Sequence, residues 1–136
     1  MSSAMATSAE ALSKALDTYF AAIAARDPER IALVFASNGE IEDPVGGPIR
    51  HGRTEIAGQF ASGVAALASH VEIEVLAAMP CGNSIAAHWA MTARGKTGRE
   101  VKAEGIDVLQ VDAQGLIVRA EGYWNAAAFR QTLATA

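Results

Sequence analysis

Apolar residues recur at helical spacing through the first half of this chain and at alternate positions through the second. Leu12, Leu16, Tyr19, Phe20 and Ile23 share one helical face. Thr7 and Glu10 stand ahead of them in capping-box register, which predicts a helix over about residues 8–26. Asp27-Pro28 then offers an N-cap followed by proline at the first helical position. Ile31, Val34 and Phe35 give that second helix its buried side, and it is expected to stop before Gly39. A third helix is predicted from near Thr54, with Ile56, Phe60, Val64 and Leu67 along one side.

Beyond about Ser69 the period changes to two. Val71, Ile73 and Val75 alternate with glutamates, and Ile85, Ala87, Trp89 and Met91 alternate with Ala86, His88, Ala90 and Thr92. Val101, Ala103, Gly105, Asp107, Leu109 and Val111 fall on one face of a further strand, and a last strand is predicted from Leu116 to about Trp124. Gly95-Lys96-Thr97-Gly98 and Asp112-Ala113-Gln114-Gly115 are turns between them. Pro80-Cys81-Gly82-Asn83-Ser84 interrupts an otherwise uncharged run as a hairpin connection, so that run does not read as a membrane span. Helices first and hairpin-linked strands afterwards is an α+β order, with the helices laid into the concave side of a curved antiparallel sheet.

A chain of 136 residues supports one domain, here 1–136 with residues 1–7 expected as a flexible N-terminus. The 51% apolar and 19% charged composition belongs to an ordered globular chain. A net charge of −4 with no basic stripe argues against a nucleic-acid partner. Cys81 is alone, and His51, His70 and His88 are scattered without ligand spacing, so neither disulfides nor a metal site is expected. The first eight residues have neither a basic flank nor an apolar core, and a cytoplasmic protein is expected.

Two carboxylates break the apolar pattern. In Gly39-Glu40-Ile41-Glu42-Asp43-Pro44-Val45-Gly46-Gly47-Pro48, Asp43 shares its face with Ile41 and Val45, while Glu40 and Glu42 take the other. A carboxylate there is costly unless it is paired or reactive, although Asp-Pro also serves simply to start a turn. Asp107 likewise lies on a face of aliphatic residues and glycine. Two such groups together would push one toward its neutral form. Tyr19 reads on its own as a core tyrosine whose hydroxyl needs a partner. Trp89 and Met91 read as core or as the lining of an apolar cavity, and His88, of opposite parity, falls outside it or at an interface.

These segments, in this order and spacing, resemble the bacterial ketosteroid isomerases of the nuclear-transport-factor-2-like (SnoaL-like) superfamily, from about Leu12 to Phe129. Glu42-Asp43-Pro44-Val45-Gly46 resembles the segment of the catalytic base. Leu16-Asp17-Thr18-Tyr19 resembles the helix carrying an oxyanion-hole tyrosine. Gly105-Ile106-Asp107-Val108 resembles the strand with a protonated acid, and Gly122-Tyr123-Trp124-Asn125 the segment whose tryptophan lines the steroid pocket. Ketosteroid isomerases are themselves the standard example of an acid held neutral by an apolar site. The resemblance implies a conical fold with three N-terminal helices in the concave face of the sheet. It also implies a homodimer and a cofactor-free shift of a C=C bond into conjugation with a 3-keto group. Asp43, Tyr19 and Asp107 would be catalytic, with Trp124, Trp89, Phe60, Val45 and Met91 around the substrate. Phe35 and Phe60 stand where some members extend the hydrogen-bonded chain with further tyrosines. A hydrophobic-ligand-binding protein, or a related lyase or cyclase, remains the alternative on the same fold.

Overall fold

A computed structural model describes residues 7–136 of the protein. Helix α1 (Ala9–Ala24) buries Leu12, Leu16, Tyr19, Phe20 and Ile23, the five residues of the predicted stripe. Its N-cap is Ser8, whose side chain accepts the Ala11 N–H. The expected cap, Thr7, is engaged elsewhere: its hydroxyl donates to the carbonyls of Val111 (2.9 Å) and Asp112 (3.1 Å), and its N–H to Asn83 Oδ1. Of the flexible N-terminus expected over 1–7, residues 1–6 lie outside the described residues, and Thr7 is buried against the far end of the sheet.

Helix α2 (Pro28–Leu33) starts as predicted, with Asp27 as N-cap and Pro28 in the first turn, but is short. Val34 and Phe35 are not on its buried side. Val34 caps it, and Phe35 opens strand β1 (Phe35–Glu42), because Phe35 already pairs with Ile117. Strand β2 (Ile49–His51), which the sequence pattern did not reveal, pairs antiparallel with β1 and leads into α3 (Gly52–Ser62). That helix buries Ile56 and Phe60 and ends at Gly63, so Val64 and Leu67 belong to a separate single turn, α4 (Val64–Leu67). Four residues of one predicted stripe are thus divided between two elements.

Strands β3 (Ala68–Cys81), β4 (Ser84–Gly95), β5 (Glu100–Val111) and β6 (Ile117–Tyr123) follow the predicted hairpins closely. The sheet order is β2-β1-β6-β5-β4-β3, antiparallel except where β1 runs parallel to β6. The parallel pair brings the first strand of the chain beside the last, and so brings Asp43 to the strand that ends near Trp124. The core lies between the concave face of the sheet and α1, α2 and α3, as the α+β reading requires.

A fifth helix, α5 (Ala126–Ala134), was not anticipated. Asn125 caps it by accepting the Ala128 N–H, and Phe129 and Leu133, one turn apart, are buried. An asparagine followed by an alanine-rich run with apolar residues four apart was the available signal. This helix packs on β4, β5 and α4 and closes one side of the cavity described below. Replacing its cap, Asn125→Ala, should lower stability by about 1 kcal/mol. Urea denaturation of the two proteins checks this, and equal midpoints would show that packing alone fixes α5.

Candidate active site

Antiparallel pairing sets Ala87 of β4, Asp107 of β5 and Gly122 of β6 side by side across the concave face. Directly opposed residues share a face, so Asp107 is flanked by a methyl group on one side and by no side chain on the other. The space over Gly122 holds the carboxyl of Asp43. A Cβ on Gly122 would stand 2.6 Å from the Asp43 carboxyl carbon, which only glycine permits. The Asp43 carboxyl thus lies over the register partner of Asp107, and no hydrogen bond joins the two acids.

Asp43 follows directly on β1 at a cis Asp43–Pro44 bond. Its neighbourhood is tied down on three sides. The Val45 N–H donates to the Gly122 carbonyl (2.8 Å), Gln59 Nε2 donates to the Asp43 carbonyl (2.8 Å), and the Gly46 N–H donates to Glu42 Oε2 (3.0 Å). The turn after Glu42 carries Val45 outward: it is 39% exposed and does not line the cavity, contrary to its expected place around the substrate. Strand parity fails there because the strand has already ended. Glu42, on the opposite face, is half-buried and accepts Arg119 Nη2 at 2.9 Å, beside Glu40 and Glu121 on the same guanidinium.

Each buried carboxyl receives one indole N–H. Trp124 Nε1 donates to Asp43 Oδ1 (2.6 Å) and Trp89 Nε1 to Asp107 Oδ1 (3.0 Å). Trp89 is the register partner of Gly105, and a Cβ there would meet both indole side chains, at 2.8 Å from Trp89 and 2.6 Å from Trp124. The rings stand nearly perpendicular with centroids 5.3 Å apart. Sequence parity identified Trp89 as cavity or core; the indole donation to Asp107 has no sequence signal.

These groups border a cavity of about 200 Å³. Asp43, Asp107, Trp89, Met91, Phe60 and Trp124 line it as expected. Phe20, Ile23, Ile73, Gln59, Phe129 and Leu133 line it too, and were not anticipated. Tyr19 is fully buried just behind this lining, edge-on to Phe35 (5.8 Å) and Phe60 (6.5 Å). Its hydroxyl has no hydrogen-bond partner among the described residues, which is rare for a buried polar atom. His88 lies outside the cavity and meets Glu104 at 3.0 Å. Among the described residues no group of His, Cys, Asp and Glu comes together that could hold a metal ion.

Desolvation dominates the electrostatics. Burial raises the Asp107 pKa well above the usual carboxylate value; the nearby Asp43 charge raises it further, and the Trp89 N–H opposes both. Burial also raises Asp43, and the Trp124 N–H opposes it. Asp43 as a residue is only half-buried, but its carboxyl end, lying on Gly122, is the desolvated part. Tyr19 is raised well above its ordinary value by burial and then by Asp107 and Asp43. The two acids are thereby made unequal, Asp107 holding its proton more tightly than Asp43, and a pair so divided can remove a proton at one point while donating a hydrogen bond at another.

A family model for the SnoaL-like domain matches residues 16–120. A steroid Δ-isomerase of Nocardioides simplex is 32% identical over 113 residues, which cover 81% of this chain and 86% of that protein. Among solved structures, an epoxide hydrolase/cyclase-like enzyme of pyran-ring formation in the polyether salinomycin superposes with a TM-score of 0.74 at 25% identity, covering 87% of this chain and 93% of that one. A Δ5-3-ketosteroid isomerase from a Mycobacterium species shares the fold, with a TM-score of 0.73 at 20% identity over 87% of this chain and 95% of its own.

The charge state of the site is testable without any ligand. A carboxyl whose folded pKa lies above its unfolded value of about 3.9 holds its proton more tightly in the folded state. Its stabilising contribution is full below that value and is lost as pH rises through the folded pKa. Wild-type protein should therefore lose stability relative to Asp43→Asn as pH rises from about 4, levelling once Asp43 is ionised. Asp107→Asn should show the same trend continuing to higher pH. Denaturant midpoints measured across pH check this, and a pH-independent difference would mean that these carboxyls are solvated.

Proposed function

We propose that this chain, which belongs to the SnoaL-like family, is a cofactor-free ketosteroid isomerase that moves a C=C bond into conjugation with a 3-keto group. The observation that carries the reading is two buried carboxyls lining one apolar cavity, Asp43 packed on the register partner of Asp107, with the unpartnered Tyr19 hydroxyl buried behind the lining. The identity with the Nocardioides simplex steroid Δ-isomerase supports the substrate class.

In this reading the Asp43 carboxylate removes a proton from the carbon between the carbonyl and the double bond. The electron pair moves through the carbonyl to give a dienolate. Asp43, now neutral, returns the same proton to the far carbon of the former double bond, so no atom is gained or lost. Negative charge develops on the carbonyl oxygen, and donors already aimed there stabilise it without reorganisation. Neutral Asp107 supplies one O–H and Tyr19 the other. Phe35 and Phe60 cannot extend a hydrogen-bonded chain from Tyr19, so its phenol donates unassisted.

A second reading draws on the likeness to the epoxide hydrolase/cyclase-like enzyme. A neutral acid could protonate an epoxide oxygen while a carboxylate activates an attacking hydroxyl. Conjugated-enone absorbance with a Δ5-3-ketosteroid separates the two, because only the isomerase produces that signal. Asp43→Asn should reduce the rate by at least about 10²–10⁴-fold, and Tyr19→Phe and Asp107→Ala by roughly 10²–10³-fold each. Wild-type turnover in Asp43→Asn would leave that residue a turn former only.

We also propose a homodimer through the outer face of the sheet. Ile106 (46%), Tyr123 (47%), Leu76 (46%) and Met79 (68%) are exposed there or on the protruding end of β3, with Ala86, Ala90 and Val108 half-buried among them. Two-fold pairing would cover this apolar surface. Sedimentation at micromolar concentration should give a dimer, and a monomer at every concentration would overturn the proposal.

A further inference from the structure

The cavity mouth carries charge that the interior does not use. Arg50 and Arg130 both line the cavity and are both exposed. Arg50 is the register partner of Ile41, a fully buried core residue, so its side chain leaves β2 toward the concave face and not toward the convex one. Arg130 projects from α5 one residue after buried Phe129, with one long contact to the Ser62 carbonyl at 3.4 Å. Four of the other arginines are already engaged. Arg26 and Arg53 donate to the Ala68 and Phe35 carbonyls, Arg94 pairs with Glu100, and Arg119 with three glutamates. Among the described residues no carboxylate lies within ion-pair distance of Arg50 or Arg130. Nor is Arg50 spent on the base, since the influences acting on Asp43 are burial and an indole N–H.

Two free guanidinium groups at the rim of one apolar cavity, on a chain of net charge −4, are an unusual concentration of positive charge. A neutral hydrocarbon-like ligand gives them nothing to bind. We propose that Arg50 and Arg130 form an anion-recognising rim, and that the ligand is an apolar ketone carrying a carboxylate or sulfate at the end remote from the ketone. The inference rests on the ketone reading of the site for its orientation. The reacting end must reach Asp107, which is 3% exposed, and the opposite end is then left to the exposed part of the lining, to which both arginines belong. Planar guanidinium groups suit such oxyanions because they can donate two parallel hydrogen bonds.

The probes are a conjugated 3-ketosteroid with a free hydroxyl on the ring remote from the ketone, and its sulfate ester. Both tryptophans of the chain line the cavity, so quenching of intrinsic fluorescence reports binding directly. The ester should bind about 10-fold more tightly than the parent at low ionic strength, and the advantage should shrink as salt screens the rim. Arg50→Gln with Arg130→Gln should abolish the advantage, whereas Arg99→Gln, on the β4–β5 turn, should keep it. A parent that binds as tightly as its ester, or an advantage that survives in the double variant, overturns the rim. Turnover of the unconjugated pair separates the two claims. Ester preference without isomerisation of either compound removes the ketone chemistry and keeps the rim. Isomerisation of both with equal affinities does the reverse, and binding of neither probe overturns both.

Discussion

The structure depends on burying two carboxyl groups in one apolar cavity. Two ionised carboxylates cannot share such a place, because each adds its charge to the desolvation cost of the other. The protein eases this by setting the two acids apart, Asp107 raised further than Asp43, and by giving each a single indole donor. The donors favour the ionised forms, burial favours the neutral ones, and burial prevails at both sites. Asp107 is driven further because it also feels Asp43, which sets two chemically identical groups apart.

That arrangement needs room before it needs chemistry. Gly122 makes space for the Asp43 carboxyl, and Gly105 makes space for the two indoles. Ala87 keeps the other flank of Asp107 small. These three residues belong to adjacent strands of one antiparallel sheet, so hydrogen-bond register, and not local sequence, brings them together. The parallel pairing of β1 with β6 then delivers Asp43 to the same spot from the other end of the chain. On the opposite side of β1, Glu40 and Glu42 converge with Glu121 on Arg119. Strand parity thus sorts the acids of one segment into an outer cluster gathered on an arginine and one desolvated inner group.

Parity and helical spacing made the α+β order, the four long strands and the first helix legible, because each depends on many residues agreeing. Asp107 was legible for the same reason, as a charge on a long apolar face. Val45 was misplaced because the strand ends at Glu42 and a turn follows, so the alternation had no further force. β2 is three residues long and fully exposed, and offers no apolar alternation to detect. The division of α3 from α4 turns on the backbone of Gly63, whose conformation the periodicity of its neighbours cannot express. The indole contacts and the roles of Gln59 and Gly122 arise from register between distant segments, which composition and local pattern do not encode.

Tyr19 shows how the same desolvation acts on a group that is never charged. Its ring is held by Phe20, Phe35 and Phe60, apolar neighbours that fix its direction and offer its hydroxyl nothing. A buried O–H without a partner costs free energy in the resting protein. In the proposed isomerisation, an anionic oxygen developing beside it would relieve that cost and gain a donor already oriented in a buried setting. A tyrosine at position 35 or 60 could satisfy the hydroxyl beforehand, and the relief would then be smaller. Under the proposed reaction the phenylalanines would leave that stabilisation to be realised only when charge appears, which is the condition under which binding energy accelerates a reaction instead of merely tightening a complex.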